Sequence, residues 1–239
     1  MATWIAHLRI AENLLDLIPD LNAAQFAIGN IAPDSGIPDE NWEKFEPPPE
    51  VTHFKRNRSV HKDIADLDFY RGYLADLSSK EALPFSFRLG YFFHLITDNL
   101  WTVEVGKPTQ KRFAKEFAED ERFIWEVKKD WYGLDLIYVR DHPESLFWRT
   151  FLNAEPKSCD LDFLPMAAIN RHLKYIKTFY QRQDEEIQEA YRRPFIYLSQ
   201  AEMDKFVEQV TQRLYRIYQA LWVEKTPVPN EKSILSTIA

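Results

Sequence analysis

Along most of this chain apolar positions recur at helical spacing, and one stretch is apolar almost all round. From Phe85 to Trp101 the sequence reads FSFRLGYFFHLITDNLW. A helix apolar on nearly every side belongs in the middle of a domain. Yet it carries His94 and Asp98, whose spacing stacks them on one face about one turn apart. A buried imidazole and a buried carboxylate are costly without partners. The pair can satisfy each other, meet further polar groups, or bind a metal ion.

The remaining pattern is also helical. Residues 3–18 place Trp4, Ile5, Leu8, Leu14, Leu15 and Ile18 on one stripe, with Thr3 as N-cap and Pro19 as the stop. A shorter helix is expected over 22–31, ending in the loop AIGNIAPDSGIPDENW, which Gly and Pro break. Residues 41–57 read as irregular, with 51–54 as a short extended piece. An amphipathic helix is expected over 59–79. Gly106 and Pro108 punctuate the end of the central helix, and a charged helix is expected over 109–129. The piece DWYGLDLIYVRDHP reads as irregular. Helices over 144–152, 163–181, 182–192 and 199–224 complete the chain, the last opened by a Ser199/Glu202 capping box. The pattern predicts an all-α, single-domain multi-helix bundle over 1–226, with a loosely ordered tail over 227–239.

Composition narrows the function classes. The 239 residues are 45% hydrophobic and 15% aromatic, enough for a substantial core. Six glycines are few for a fold rich in tight turns. A net charge of −7 disfavours broad nucleic-acid binding, which relies on Lys and Arg. The one cysteine, Cys159, excludes intramolecular disulfides and predicts a reduced, cytoplasmic setting. The first twenty residues lack a signal peptide's basic start and unbroken apolar core, and no window reads as a membrane span.

Six histidines occur. His7 lies in the first helix, His53 on the expected extended piece and His94 in the central helix, while Asp34 sits in the Gly/Pro loop. Nitrogen and oxygen donors of this mix suit zinc, nickel, manganese or iron. His61, His142 and His172 read as solvated or loop residues.

The pieces TWIAH, IGNIAPDSG, VTHF and YFFHLITDN, in that order, resemble the zinc-dependent phospholipase C family, whose helical fold is shared with S1/P1 nucleases. The resemblance spans residues 3–99. It implies one metal held by Asp34, His53, His94 and Asp98, and a second bridged by Asp98 and held also by His7. It further implies hydrolysis of a phosphodiester, the substrate being a small phosphoester or a phospholipid headgroup. A bound divalent ion lowers the pKa of its water toward ~7, and Asp34 could orient or deprotonate that water. Arg56 and Arg88 are the expected phosphate clamps, with Lys55 and Arg58 beside Arg56.

Two departures from the family pattern stand out. The family's second ion uses the amino group and carbonyl of an N-terminal Trp, whereas Met1, Ala2 and Thr3 precede Trp4 here. The family also has a further His and a His-x-x-x-Glu for a third metal. No histidine occurs between residues 95 and 141, and Leu146 stands four places after His142. Asp130 and Asp135 are the carboxylates on offer as substitutes. One firmly held metal is expected, with a second at His7. Two other readings stay open: a catalytically silent metal-binding helical protein that binds a ligand or partner, and an HD-like phosphohydrolase. The latter needs an adjacent His-Asp, but His61 is followed by Lys62.

Overall fold

The computed structural model describes residues 1–40, 44–55, 64–78, 82–157, 159–228 and 230–236. It is an all-α, multi-helix fold with one small antiparallel pair of strands. Helix α1 (Trp4–Leu17) starts where the Thr3 side chain accepts from the Ala6 N–H. Helix α2 (Ala23–Gly29) starts where Asn22 does the same for Gln25. Both caps satisfy a backbone donor that the first helical turn leaves free. A 3-10 turn over Ala32–Asp34 follows, then strands β1 (Ile37–Pro38) and β2 (Phe45–Glu46), paired Ile37 to Glu46.

The 51–54 piece is not extended. Pro49 opens a single helical turn, α3 (Pro49–Thr52), closed by His53. Proline suits a first helical position because its missing N–H has no partner there anyway. The helix expected over 59–79 is also shorter. Residues 56–63 lie outside the described set, Ile64 bridges back to Lys55, and α4 (Asp66–Phe69) runs into a wide turn over Tyr70–Leu74.

Helix α5 (Ala82–Trp101) is the axis of the fold. From Phe85 to Trp101 every residue except Arg88 is buried. Glycines at one crossing let α2 lie unusually close to it. A Cβ on Gly29 would stand 2.0 Å from the Phe87 carbonyl oxygen, and one on Gly90 would stand 2.4 Å from that of Phe26. Only a residue without a Cβ allows so close an approach of two backbones.

Gly106 and Pro108 do not end the helical path as expected. It passes through a wide turn, Thr102–Gly106, into α6 (Lys107–Arg112), with Pro108 in the first turn. The expected 109–129 helix is divided among α6, α7 (Ala114–Glu119) and the start of α8 (Phe123–Asp141). Most of the piece read as irregular, 130–143, is helix α8. Gly133 there marks packing rather than a break: a Cβ would meet the Phe195 ring at 2.9 Å.

The chain continues through α9 (Leu146–Arg149), α10 (Met166–Phe179), α11 (Glu185–Ala190) and α12 (Gln200–Tyr218). The Ser199/Glu202 capping box is formed. One cluster of buried apolar side chains extends from Ala2 to Ile234. Within the tail expected to be loose, Ile234 is fully buried and its N–H donates to Asp66 Oδ1 at 2.9 Å. No helix among the described residues is long and apolar enough to cross a membrane.

Candidate metal centre

Three elements bring four side chains together. Asp34 comes from the 3-10 turn after α2, His53 from the end of α3, and His94 and Asp98 from α5 itself. His53 Nε2 lies 3.2 Å from Asp34 Oδ1, 3.6 Å from Asp98 Oδ2 and 3.3 Å from His94 Nε2. His94 Nε2 lies 3.7 Å from Asp98 Oδ2 and 4.0 Å from Asp34 Oδ1. Four tetrahedral arms of ~2.0–2.2 Å place ligand atoms roughly 3.3–3.6 Å apart, so these separations suit a small divalent ion.

The protonation pattern is that of a ligand set. His94 Nδ1 lies 2.8 Å from the Asn30 carbonyl oxygen. A carbonyl only accepts, so Nδ1 carries the proton and Nε2 presents a bare lone pair to the cluster. Burial, reinforced by His7, pushes the His94 pKa down to about 3, so the ring is neutral at ordinary pH. Burial works against ionising Asp34, but the close approach of His53 to Oδ1 and the neighbouring imidazoles outweigh it and hold the carboxyl well below its usual range. Asp98 is likewise held low, burial being outweighed by the N-terminal ammonium and by its contacts with His94 and His7. Asp34 Oδ1 and Asp98 Oδ2 are buried and accept no hydrogen bond. Two anionic oxygens and a bare nitrogen lone pair at these distances repel one another unless a proton on His53 Nε2 or a metal cation lies between them.

Outer contacts hold the ligands. The Thr52 hydroxyl is 3.0 Å from His53 Nδ1, and the Thr52 carbonyl accepts from Tyr91. Trp4 Nε1 donates to Asp34 Oδ2 at 3.0 Å, which leaves Oδ1 for the cluster. Such partners fix ring orientation and basicity in metal sites.

His7 lies beside this group. Its ring stacks on His94 with centroids 3.9 Å apart, and its Nε2 is 3.5 Å from Asp98 Oδ1. It is fully buried, and neither nitrogen has a hydrogen-bond partner. Asp98 thus turns one oxygen to His7 and the other to His53 and His94. The amide N–H of Ala2, rather than an amino group of Trp4, donates to Asp98 Oδ1 at 2.8 Å.

Other expected residues are placed elsewhere. Arg88 donates to the carbonyls of Tyr73 and Asp160 and does not line the cavity at the cluster. Arg56, with Arg58 and His61, lies outside the described residues. Asp130 accepts from the Ile196 and Tyr197 amides, and Asp135 from Thr3 and Tyr180, so neither joins the cluster. Among the described residues, the groups that could hold an ion are His7/His94/Asp98 and Asp34/His53/His94.

The cluster opens on a cavity of about 1240 Å³, lined in part by α8 and α10. His172, read from the sequence as a surface residue, lines it. Its ring stands edge-on to Trp4 at 5.2 Å, and its Nε2 is buried without a partner. A signal for it existed: Ala168, His172, Tyr175 and Phe179 are spaced four, three and four apart, and all line this cavity. Lys128 on α8 lines it too, and polarity alone gave no sign of that.

Compared with family models, with curated proteins and with solved structures, the chain matches none.

Proposed function

We propose that this chain is a metal-dependent phosphoester hydrolase, acting on phosphodiesters in the manner of the zinc-dependent phospholipase C family that it resembles. The observation that carries the reading is the bare Nε2 of His94, set by the Asn30 carbonyl and facing two unpartnered carboxylate oxygens and a second imidazole. Asp34, His53, His94 and Asp98 would hold the first ion, with His7 and Asp98 at the second. Zinc suits this donor set best, and nickel, manganese or iron are the other choices. When bound, such an ion polarises a phosphoryl oxygen and acidifies water for attack.

The chain's own residues do the rest. Trp4 fixes one Asp34 oxygen, so the other can accept a proton or orient water at the cavity floor. The ligand carboxylates are ionised and His94 is neutral without any pH adjustment, so the site is ready for a cation at neutrality. The cavity admits a small phosphoester or a phospholipid headgroup. A reducing, cytoplasmic setting belongs to the same proposal. Its basis is the lone Cys159, which is buried and whose thiol burial pushes up to about 12.

The test is turnover of bis(p-nitrophenyl) phosphate by purified protein with added Zn²⁺ or Mn²⁺. Activity that His94→Ala abolishes, together with loss of metal in elemental analysis, is the expected result. A second reading, a silent metal-stabilised protein that binds a ligand or partner, is favoured by one observation: neither Asp130 nor Asp135 supplies the family's missing third set of ligands. Stoichiometric metal without turnover of any phosphoester would establish it and remove the first.

A further inference from the structure

The cavity is basic in an acidic protein. Lys55, Lys107, Lys128, Lys129, Arg171 and Arg193 line it, against three carboxylates, Asp34, Asp98 and Glu189. Two of those three belong to the metal cluster. The whole chain, by contrast, carries a net charge of −7. Several of these cations have local partners: Lys129 is paired with Glu126, and Arg193 lies 3.2 Å from Asp130. Lys128 differs. It has no carboxylate partner among the described residues. It is half-buried on the cavity wall, with its ammonium 4.5 Å from the centroid of the Trp125 ring. Burial pushes its pKa down, and the Asp34 charge across the cavity acts in the other direction. A half-buried ammonium over an aromatic ring, with no paired carboxylate among the described residues, attracts an anion entering the cavity.

Part of the wall is aromatic. Trp4, Tyr132, Tyr175 and Phe179 form one group, with Trp4 ring centroids 5.9–6.3 Å from the other three. Aromatic walls of this kind could also receive a quaternary ammonium. The charges decide against that here. Lys128 already occupies a face of Trp125, and outside the metal cluster a single carboxylate, Glu189, lines the cavity to balance a cationic headgroup.

We infer that the cavity selects an anionic organophosphate bearing an aryl or other apolar group over one bearing a cationic headgroup, and that Lys128 is the residue that sets this preference. The inference rests on the hydrolase reading for where an ester would lie, but binding can be measured without turnover.

Two ligands that are not phosphoesters of an aryl alcohol separate the cases: phenylphosphonate, and phosphorylcholine as the cationic-headgroup probe. Their affinities for the zinc-loaded protein are measured by titration calorimetry at pH 8. The wild type should prefer phenylphosphonate. Lys128→Met should reduce that preference about tenfold, the scale of a partly desolvated ion pair, while Lys128→Arg retains it. Lys115→Met, at an exposed pair with Glu119 on α7, is the control for net charge and should leave the ratio alone. A wild type that prefers phosphorylcholine, or a ratio unmoved by Lys128→Met, overturns the inference. A ratio that shifts in a protein with no turnover keeps the inference and removes the hydrolase reading instead.

Discussion

Thr52 contributes to the site without touching any ion. Its hydroxyl meets His53 Nδ1 at 3.0 Å and holds the ring with Nε2 turned to Asp34. Thr52→Val keeps the shape and removes the hydrogen bond. Metal affinity should fall by roughly 10–100-fold, the usual effect of losing an outer partner, as read by competition with a chromophoric chelator. Asp135 is the residue to watch for pH dependence. Burial raises its pKa from 3.8 to about 7, against the opposing hydrogen bonds of Thr3 and Tyr180. The folded state therefore holds a proton that the unfolded chain has already released, and stability falls as pH rises from about 4 through about 7. In Asp135→Asn that contribution should vanish, leaving the one from Asp66, whose pKa burial raises to about 6. Melting curves between pH 5 and 8 should show the variant gaining on the wild type as pH rises, and parallel curves would refute the assignment.

At the scale of elements, the site depends on how closely α2 meets α5. That crossing brings the Asn30 carbonyl within 2.8 Å of His94 Nδ1 and so sets which His94 nitrogen faces the cluster. Gly90→Ala inserts a Cβ 2.4 Å from the Phe26 carbonyl oxygen, and Asn30 stands next in line, its amide nitrogen 2.9 Å away. Relief requires the helices to separate. The cost in urea unfolding should be about 1–3 kcal/mol, the range for overpacked cores, and metal affinity should fall with it. Much of this level was legible in sequence. The caps at Thr3, Asn22 and Ser199 and the burial of 85–101 follow from local pattern. The misreadings came from treating Gly and Pro as breakers. Gly133 lies inside α8 because Phe195 packs against it, and Pro108 lies inside a first helical turn, where proline is tolerated.

If the cluster holds a cation, the whole molecule couples its stability to it. A cation that binds the folded chain and not the unfolded one stabilises it by about 4.1 kcal/mol at a thousand times its Kd. Adding a strong chelator should therefore lower the melting temperature of the wild type, and leave that of His94→Ala unchanged. A wild type indifferent to chelation would mean that the four ligands tolerate one another without a cation.

The amino-acid sequence by itself determined the helical class, the central position of 85–101, and the residue types able to hold a metal: Asp34, His53, His94, Asp98 and His7. These depend on periodicity and on donor chemistry, which local sequence carries. Only the tertiary structure decided which of them meet, which nitrogen of His94 is bare, and that Arg88 faces away while Lys128 and His172 face the cavity. Those properties are distances between segments far apart in the chain. They are set by how closely two backbones can pack, and no window of sequence contains both sides of such a contact.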